Sequence, residues 1–227
     1  MKTVLITGAS RGIGFELMKI ALLNGAHVVA ISRSNINTDG FDSTNLTHIK
    51  ADLTHIYEEN NELLDPLKAF KFDLVINNAG LTLNKSFDEI TPKEYDNVYN
   101  TNVKAPFFLL QKVVSEHLYN QFLSIINVSS MGGVQGSVKF PGLSAYSSSK
   151  GALTILTECL AEEWKDLPIQ INNLALGAVQ TEMLEEAFPG YKAEISPVQM
   201  AQYIWSYALY SEKMQNGKTN QISVTTP

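Results

Sequence analysis

The stretch "TVLITGASRGIG", residues 3–14, decides the fold. Its first five residues are β-branched or apolar with no polar face, which describes a strand buried on both sides. Glycines at 8, 12 and 14 then break the strand, and a 3.6-residue apolar period takes over from Ile13. Strand, glycine-rich turn and helix in that order place backbone N–H groups at a helix N-terminus, where they face an anion such as a pyrophosphate. Gly8 permits the tight turn, Gly12 the close approach of backbone to phosphate, and Gly14 the packing of the helix on the strand. Ser10, Arg11 and Ile13 lie inside the same loop and join the glycines as candidate cofactor contacts. The spacing is Gly-x3-Gly-x-Gly rather than the commoner Gly-x-Gly-x2-Gly.

Outward from this unit the pattern repeats. Strand-like runs occur at 3–7, 27–32, 47–51, 74–77, 124–129, 169–176 and 220–225. Helical periodicity fills 13–23, 55–69, 92–119, 146–165 and 197–213. Strands alternating with helices imply right-handed crossovers and a parallel sheet covered on both faces. No repeat, low-complexity tract or Pro/Gly-rich linker divides the chain, so residues 1–227 read as a single domain. Ligands of such open sheets gather at the carboxyl ends of the strands, which directs attention to the strand ends.

The second strand ends in "AISRSN", 30–35. A carboxylate here would accept from a ribose 2′-hydroxyl, but Ser32 and Arg33 stand in its place. A guanidinium suits a 2′-phosphate, which it grips through charge-assisted hydrogen bonds. The chain has 17 lysines and arginines, of which only Arg11 and Arg33 are arginine. Both fall where an adenosine phosphate would sit, and together they favour NADP(H). The third strand ends in "KADLT", 50–54, where Asp52 and Leu53 either border an adenine or, in the case of Asp52, cap the next helix. The fourth ends in "NNAG", 77–80, where Asn78, Ala79 and Gly80 allow positive φ and a close backbone pass under a ribose.

Composition narrows the rest. The formal charge is −6 and no basic cluster occurs, which argues against nucleic acid or an anionic membrane as partner. No apolar run reaches the ~18 residues of a membrane span, and the N-terminal apolar run is too short for a signal peptide. Cys159 is the sole cysteine, so no internal disulfide forms, which suits the cytoplasm; its apolar setting "LTECLAEEW" predicts a buried thiol. His27, His48, His55 and His117 lie on separate elements, and no cluster has metal-ligand spacing.

In "GLSAYSSSK", 142–150, Tyr146 and Lys150 are four apart and share one helix face. With "TGASRGIG", "NNAG", "NTNVKAPFF", "NVSS" and "LGAVQTEM" in this order, the chain resembles the short-chain dehydrogenases/reductases over nearly its whole length. The resemblance implies a single-domain, Rossmann-type three-layer α/β fold with a central, mostly or fully parallel seven-stranded sheet. It implies a catalytic set of Asn102, Ser130, Tyr146 and Lys150. Tyr146 is then general acid in reduction and base in oxidation. Lys150 lowers the Tyr146 pKa and holds the nicotinamide ribose, Ser130 binds the substrate oxygen, and Asn102 holds a water linking Lys150 to solvent. Val179 and Thr181 in "GAVQT" are expected to anchor the carboxamide. Relatives pair through helices equivalent to 92–119 and 146–165, so a homodimer or homotetramer is expected.

Three features depart from the family pattern. Leu176 replaces a usual proline, Ser130 and Tyr146 are 16 apart where 12 or 13 is commoner, and the tail "NQISVTTP" lacks the usual Asp-Gly-Gly. The extra residues near "GSVKFPG", 136–142, lengthen a loop over the site, and 181–196 reads as a lid carrying Met183, Leu184, Phe188 and Tyr191. The sequence reading is therefore an NADP(H)-dependent oxidoreductase acting on a small carbonyl compound through a mostly apolar pocket. A 3-oxoacyl-thioester reductase and a non-catalytic NADP(H)-binding redox sensor are the alternatives.

Overall fold

Strands without a polar face require cover on both sides, and the structure supplies it. The computed structural model describes residues 1–55, 62–115 and 121–224. Seven strands, β1 (Thr3–Thr7), β2 (His27–Ser32), β3 (Leu46–Lys50), β4 (Leu74–Asn77), β5 (Leu123–Ser130), β6 (Ile169–Leu176) and β7 (Thr219–Ile222), form one sheet. Its order is β3-β2-β1-β4-β5-β6-β7, with every neighbouring pair parallel. The helices are α1 (Gly12–Leu23), α2 (Pro92–Tyr99), α3 (Ala105–Ser115), α4 (Ser144–Glu163), α5 (Glu182–Ala187) and α6 (Pro197–Tyr210).

Alternation along β1 divides the core. Val4 and Ile6 point into the layer that includes Leu17 and Met18 of α1 and Ile204 and Trp205 of α6. Leu5 points to the other side, onto Leu109 and Leu110 of α3. Strand order turns back between β1 and β4, so the connections on either side diverge and leave a crevice at the carboxyl ends of these strands.

Two expected helices take other forms. Residues 62–69 form a 3-10 helix containing Pro66, preceded by a 3-10 turn at Leu53–His55. A proline inside a helix removes an N–H and clashes with the preceding turn, which disfavours the α form expected for 55–69; residues 56–61 lie outside the described residues. The helix expected over 92–119 is α2 and α3 joined by a π-turn at Asn100–Lys104. Pro106 has no N–H to give the Asn102 carbonyl, so the α ladder cannot run through this point. Residues 116–119, with His117, lie outside the described residues, as does 225 at the end of the last expected strand.

Cys159 is exposed rather than buried. Helix α4 turns Leu153, Thr157 and Ala161 inward, and the four-residue step puts Ile155 and Cys159 together on the outer face. Apolar neighbours in sequence do not set burial on a helix; the face does.

Candidate active site

A cleft of about 850 Å³ opens at the carboxyl ends of the central strands. Its floor at one end is the glycine loop, with Gly8, Ser10, Arg11, Gly12 and Ile13 all lining it. Gly8 and Gly12 have φ of +70° and +58°, a region L side chains avoid. Gly14 lies behind the surface, where a Cβ would come 2.4 Å from the Gly8 carbonyl oxygen and from Asn78 Nδ2. Thr7, which the sequence reading missed, joins this loop to the next strand. Its buried hydroxyl accepts from the N–H groups of Asn78 and Ala79 at 3.0 Å each, while Asn78 Nδ2 donates to the Thr7 carbonyl at 3.0 Å. The available signal was a polar residue ending an otherwise apolar strand.

Arg33, Asp52 and Leu53 line the far end of the cleft. Asp52 Oδ1 accepts from the N–H and hydroxyl of Thr54 at 2.9 and 2.8 Å, so it does cap the following turn while also facing the cleft. Burial pushes its carboxyl up, but the Thr54 hydrogen bonds, aided by Arg33 and His55, hold it below the ordinary value. Arg11 reaches away from Arg33 and pairs with Glu186 of α5 at 2.8 Å. Asn78, Ala79 and Gly80 line the middle. Neither Asn78 nor Gly80 adopts the positive φ expected for them. The glycine at 80 serves proximity instead, because a Cβ there would sit 3.3 Å from Lys150 Nζ.

At the near end, β5 delivers Ser130 and α4 delivers Tyr146 and Lys150. Ser130 Oγ accepts from the Gly132 N–H at 3.1 Å, which leaves its own proton to donate into the cleft it lines with Tyr146. Ser129, the preceding residue of "NVSS", is spent on α4: its hydroxyl donates to the Lys150 carbonyl at 3.0 Å. The strand end can press against the helix because residues 132 and 133 lack side chains. A Cβ on Gly133 would lie 2.6 Å from the Lys150 carbonyl carbon.

Lys150 is buried, donates to the Val128 carbonyl at 2.9 Å, and is pushed down to about 8 by burial. Its ammonium stands over the Tyr146 ring, 6.0 Å from the centroid, rather than at the hydroxyl. The expected lowering of Tyr146 by Lys150 is accordingly not what the protein alone produces. Burial raises the phenol above its ordinary value, and hydrogen bonds with Ser130 and Thr82 pull it back. Thr82, two residues past "NNAG", is the second functional candidate the sequence reading passed over.

Asn102 sits on the π-turn behind the cleft, 1% exposed. Its Oδ1 accepts from the Leu81 N–H at 2.7 Å; its Nδ2 donates to the Leu81 carbonyl and to Ser149 Oγ, both at 2.9 Å. Ser149 in turn donates to the Tyr146 carbonyl at 2.7 Å. The side chain therefore works as a tie between the loop carrying Thr82 and the helical turn carrying Tyr146. Val179 and Thr181 line the cleft, with Val179 in a parallel bridge to Ile195 and Thr181 capping α5 through Leu184 N at 3.2 Å.

Residues 2–192 match the family model described as short chain dehydrogenase. The chain is 35% identical to gluconate 5-dehydrogenase of Gluconobacter oxydans, over 80% of this chain and 72% of that one. It is 33% identical to carbonyl reductase [NADPH] 2 of Sus scrofa, over 79% and 72%. Among solved structures, 4-hydroxyisoleucine dehydrogenase complexed with NADH superposes with a TM-score of 0.85 over 98% and 97% of the two chains, at 24% identity, a likeness of fold. The protein belongs to the short-chain dehydrogenase family and is an oxidoreductase.

Proposed function

We propose that this protein uses NADP(H) to interconvert a small carbonyl compound and its alcohol, with Tyr146 as general acid/base. The observation that carries this reading is the convergence of three hydroxyls, Ser130, Thr82 and Tyr146, beside a buried lysine at one end of a cleft whose other end is a glycine-rich phosphate cradle. The cradle fits a dinucleotide: the positive-φ glycines open backbone N–H groups at the start of α1, and Arg33 with Asp52 stands where an adenosine ribose phosphate would end. The relative from Sus scrofa carries NADPH in its name, and Arg33 in place of a carboxylate supports the phosphorylated cofactor here.

The bound cofactor supplies or accepts the hydride. The chain's own residues handle the oxygen. The Ser130 hydroxyl orients the substrate carbonyl oxygen, and Tyr146 passes its proton to that oxygen as negative charge develops there. The phenolate left behind receives a hydrogen bond from Thr82, while Ser130 keeps its own proton on the substrate oxygen. Lys150, held by the Val128 carbonyl and unobstructed by Gly80, would hold the nicotinamide ribose and place positive charge behind the ring. Val179 and Thr181 would receive the carboxamide, and Asn102 keeps Thr82 and Tyr146 in register.

Exposed Phe107 on α3 and Ile155 on α4, 42% and 57% exposed, support assembly into a homodimer or homotetramer through these helices. The acidic composition and single thiol support a cytoplasmic setting; among the described residues no helix is long and apolar enough to cross a membrane. The test of function is NADPH consumption across a panel of carbonyls by the wild type and Tyr146→Phe. Turnover that falls by about 10²–10⁴ in the variant, with NADPH affinity retained, supports the proposal. Silence across the panel with tight NADPH binding would favour the redox-sensor alternative.

A further inference from the structure

Resting on the hydride-transfer reading above, we infer that the substrate is an uncharged, apolar ketone or aldehyde delivered as a free small molecule, not a carboxylated or polyhydroxylated one. Beyond the three hydroxyls the cleft becomes apolar. Val138, Phe140 and Leu143 of the lengthened loop form one wall, and Met183, Leu184 and Phe188 of the lid form the other. Val138 and Phe140 are 52% and 58% exposed, so this rim keeps large apolar surface in water where a ligand would cover it. On the lid side the polar lining is Thr181, Glu182 and Tyr191, which adds a carboxylate but no cation.

The cations that could meet a substrate carboxylate are turned elsewhere. Lys139, between two rim residues, folds back so that Nζ donates to the Val134 and Ser137 carbonyls at 2.7 and 3.0 Å. Lys85 is paired with Glu94 at 2.9 Å, Lys192 with Glu185 at 3.7 Å and Arg11 with Glu186 at 2.8 Å. Arg33 lies at the opposite end. Among the described residues lining the cleft, Lys150 is the one cation near the hydroxyls, and it is buried and bonded to Val128. A carboxylate entering here would lose water with no free cation to replace it and would face the Glu182 carboxylate, and sugar hydroxyls would find few partners along Val138, Phe140, Leu143, Met183, Leu184 and Phe188.

The walls are also held together. Asn84 Nδ2 donates to the Ala187 carbonyl at 2.7 Å, at the end of the lid helix, and Lys85 N donates to the Gly142 carbonyl at 2.9 Å. Gly142 has φ of +85°, and a Cβ there would collide with Asn84 Oδ1. One short loop thus ties both apolar walls together and holds the cleft between them.

The experiment compares 4-phenyl-2-butanone, its para-carboxylate, 5-ketogluconate and a 3-oxoacyl thioester, by kcat/KM and by calorimetric binding to the cofactor-loaded protein. The neutral ketone is expected to exceed both acids by roughly 100-fold, in binding as well as in turnover. Phe140→Arg, which places a cation on the rim, is expected to narrow the gap to the para-carboxylate by about tenfold. Equal or better use of either acid by the wild type would overturn the inference, as would a thioester far superior to the free ketone, or binding of none of the four. Selective binding of the neutral ketone without turnover would uphold the substrate class while sinking the hydride-transfer reading.

Discussion

Gly133→Ala tests whether the distance between strand β5 and helix α4 sets the chemistry. The added Cβ would lie 2.6 Å from the Lys150 carbonyl carbon, 2.7 Å from the Gly151 nitrogen and 2.9 Å from Lys150 Cβ. Two of these neighbours are backbone, so no side-chain rotation relieves the crowding. Regaining an ordinary contact of 3.4 Å requires the turn and the helix to part by about 0.8 Å. Ser130 precedes that turn, whereas Tyr146 and Lys150 ride the helix, so the displacement falls between the two halves of the catalytic set. A misplacement near 1 Å costs about 10²-fold in rate, and overpacking of this kind costs about 1–3 kcal/mol in stability. The assay is kcat/KM on the best carbonyl of the panel, with NADPH affinity and thermal unfolding measured on the same sample. A fall of about 10²-fold in a folded, NADPH-binding variant is expected. A folded variant with wild-type kcat/KM would refute the claim that Ser130 must hold its place against Tyr146.

Other expectations follow from separate parts of the molecule. Arg33→Ala weakens NADPH far more than NADH, read as two dissociation constants; equal losses mean Arg33 does not touch the 2′-phosphate. Lys150 is pushed down to about 8 in the folded protein from the 10.5 ordinary for a lysine, so between these values the unfolded chain holds a proton that the folded one has released. Stability from this group therefore rises with pH, by about 1.4 kcal/mol per unit at most. Tyr146, raised by burial, opposes it only above about pH 10, where an unfolded phenol ionises. Denaturant unfolding between pH 8 and 10 is expected to show the wild type gaining on Lys150→Met, and parallel curves would count against the buried ammonium. If the proposed assembly forms through α4, Ile155→Glu on its outer face is expected to turn it into a monomer by sedimentation; a wild type already monomeric would refute the assembly, and an unchanged oligomer would move the interface elsewhere.

The fold was legible because the central strands β1, β2 and β4 are buried almost throughout and appear as short, largely apolar runs separated by helical periods. Strand β6 is buried at all eight positions although it carries Gln170, Asn172 and Asn173, whose amides donate to the Ser211 and Gln215 carbonyls and to Thr154 Oγ1. The glycine loop and the Tyr146–Lys150 pair were legible because both are local, fixed by spacing within a single turn or helix. The π-turn at Asn100–Lys104 was not, although Pro106 stood in view, because apolar periodicity passes through a one-residue bulge almost unchanged. Cys159 was misread because neighbours in sequence were allowed to stand for neighbours in space. Thr7 and Thr82 acquire meaning only when distant strands bring their hydroxyls to Asn78 and Tyr146. The pairing of Arg11 with Glu186, 175 residues away, has no local signature at all.

The central claim is that this cleft moves a hydride to a carbonyl carbon. NADPH deuterated at the nicotinamide C4 position, incubated with the enzyme and its best ketone, tests it directly by mass spectrometry of the alcohol. One deuterium is expected on the carbinol carbon, with the product signal reduced to near background in Tyr146→Phe. Alcohol formed without the label from either face of C4, or formed equally well by Tyr146→Phe, would contradict it.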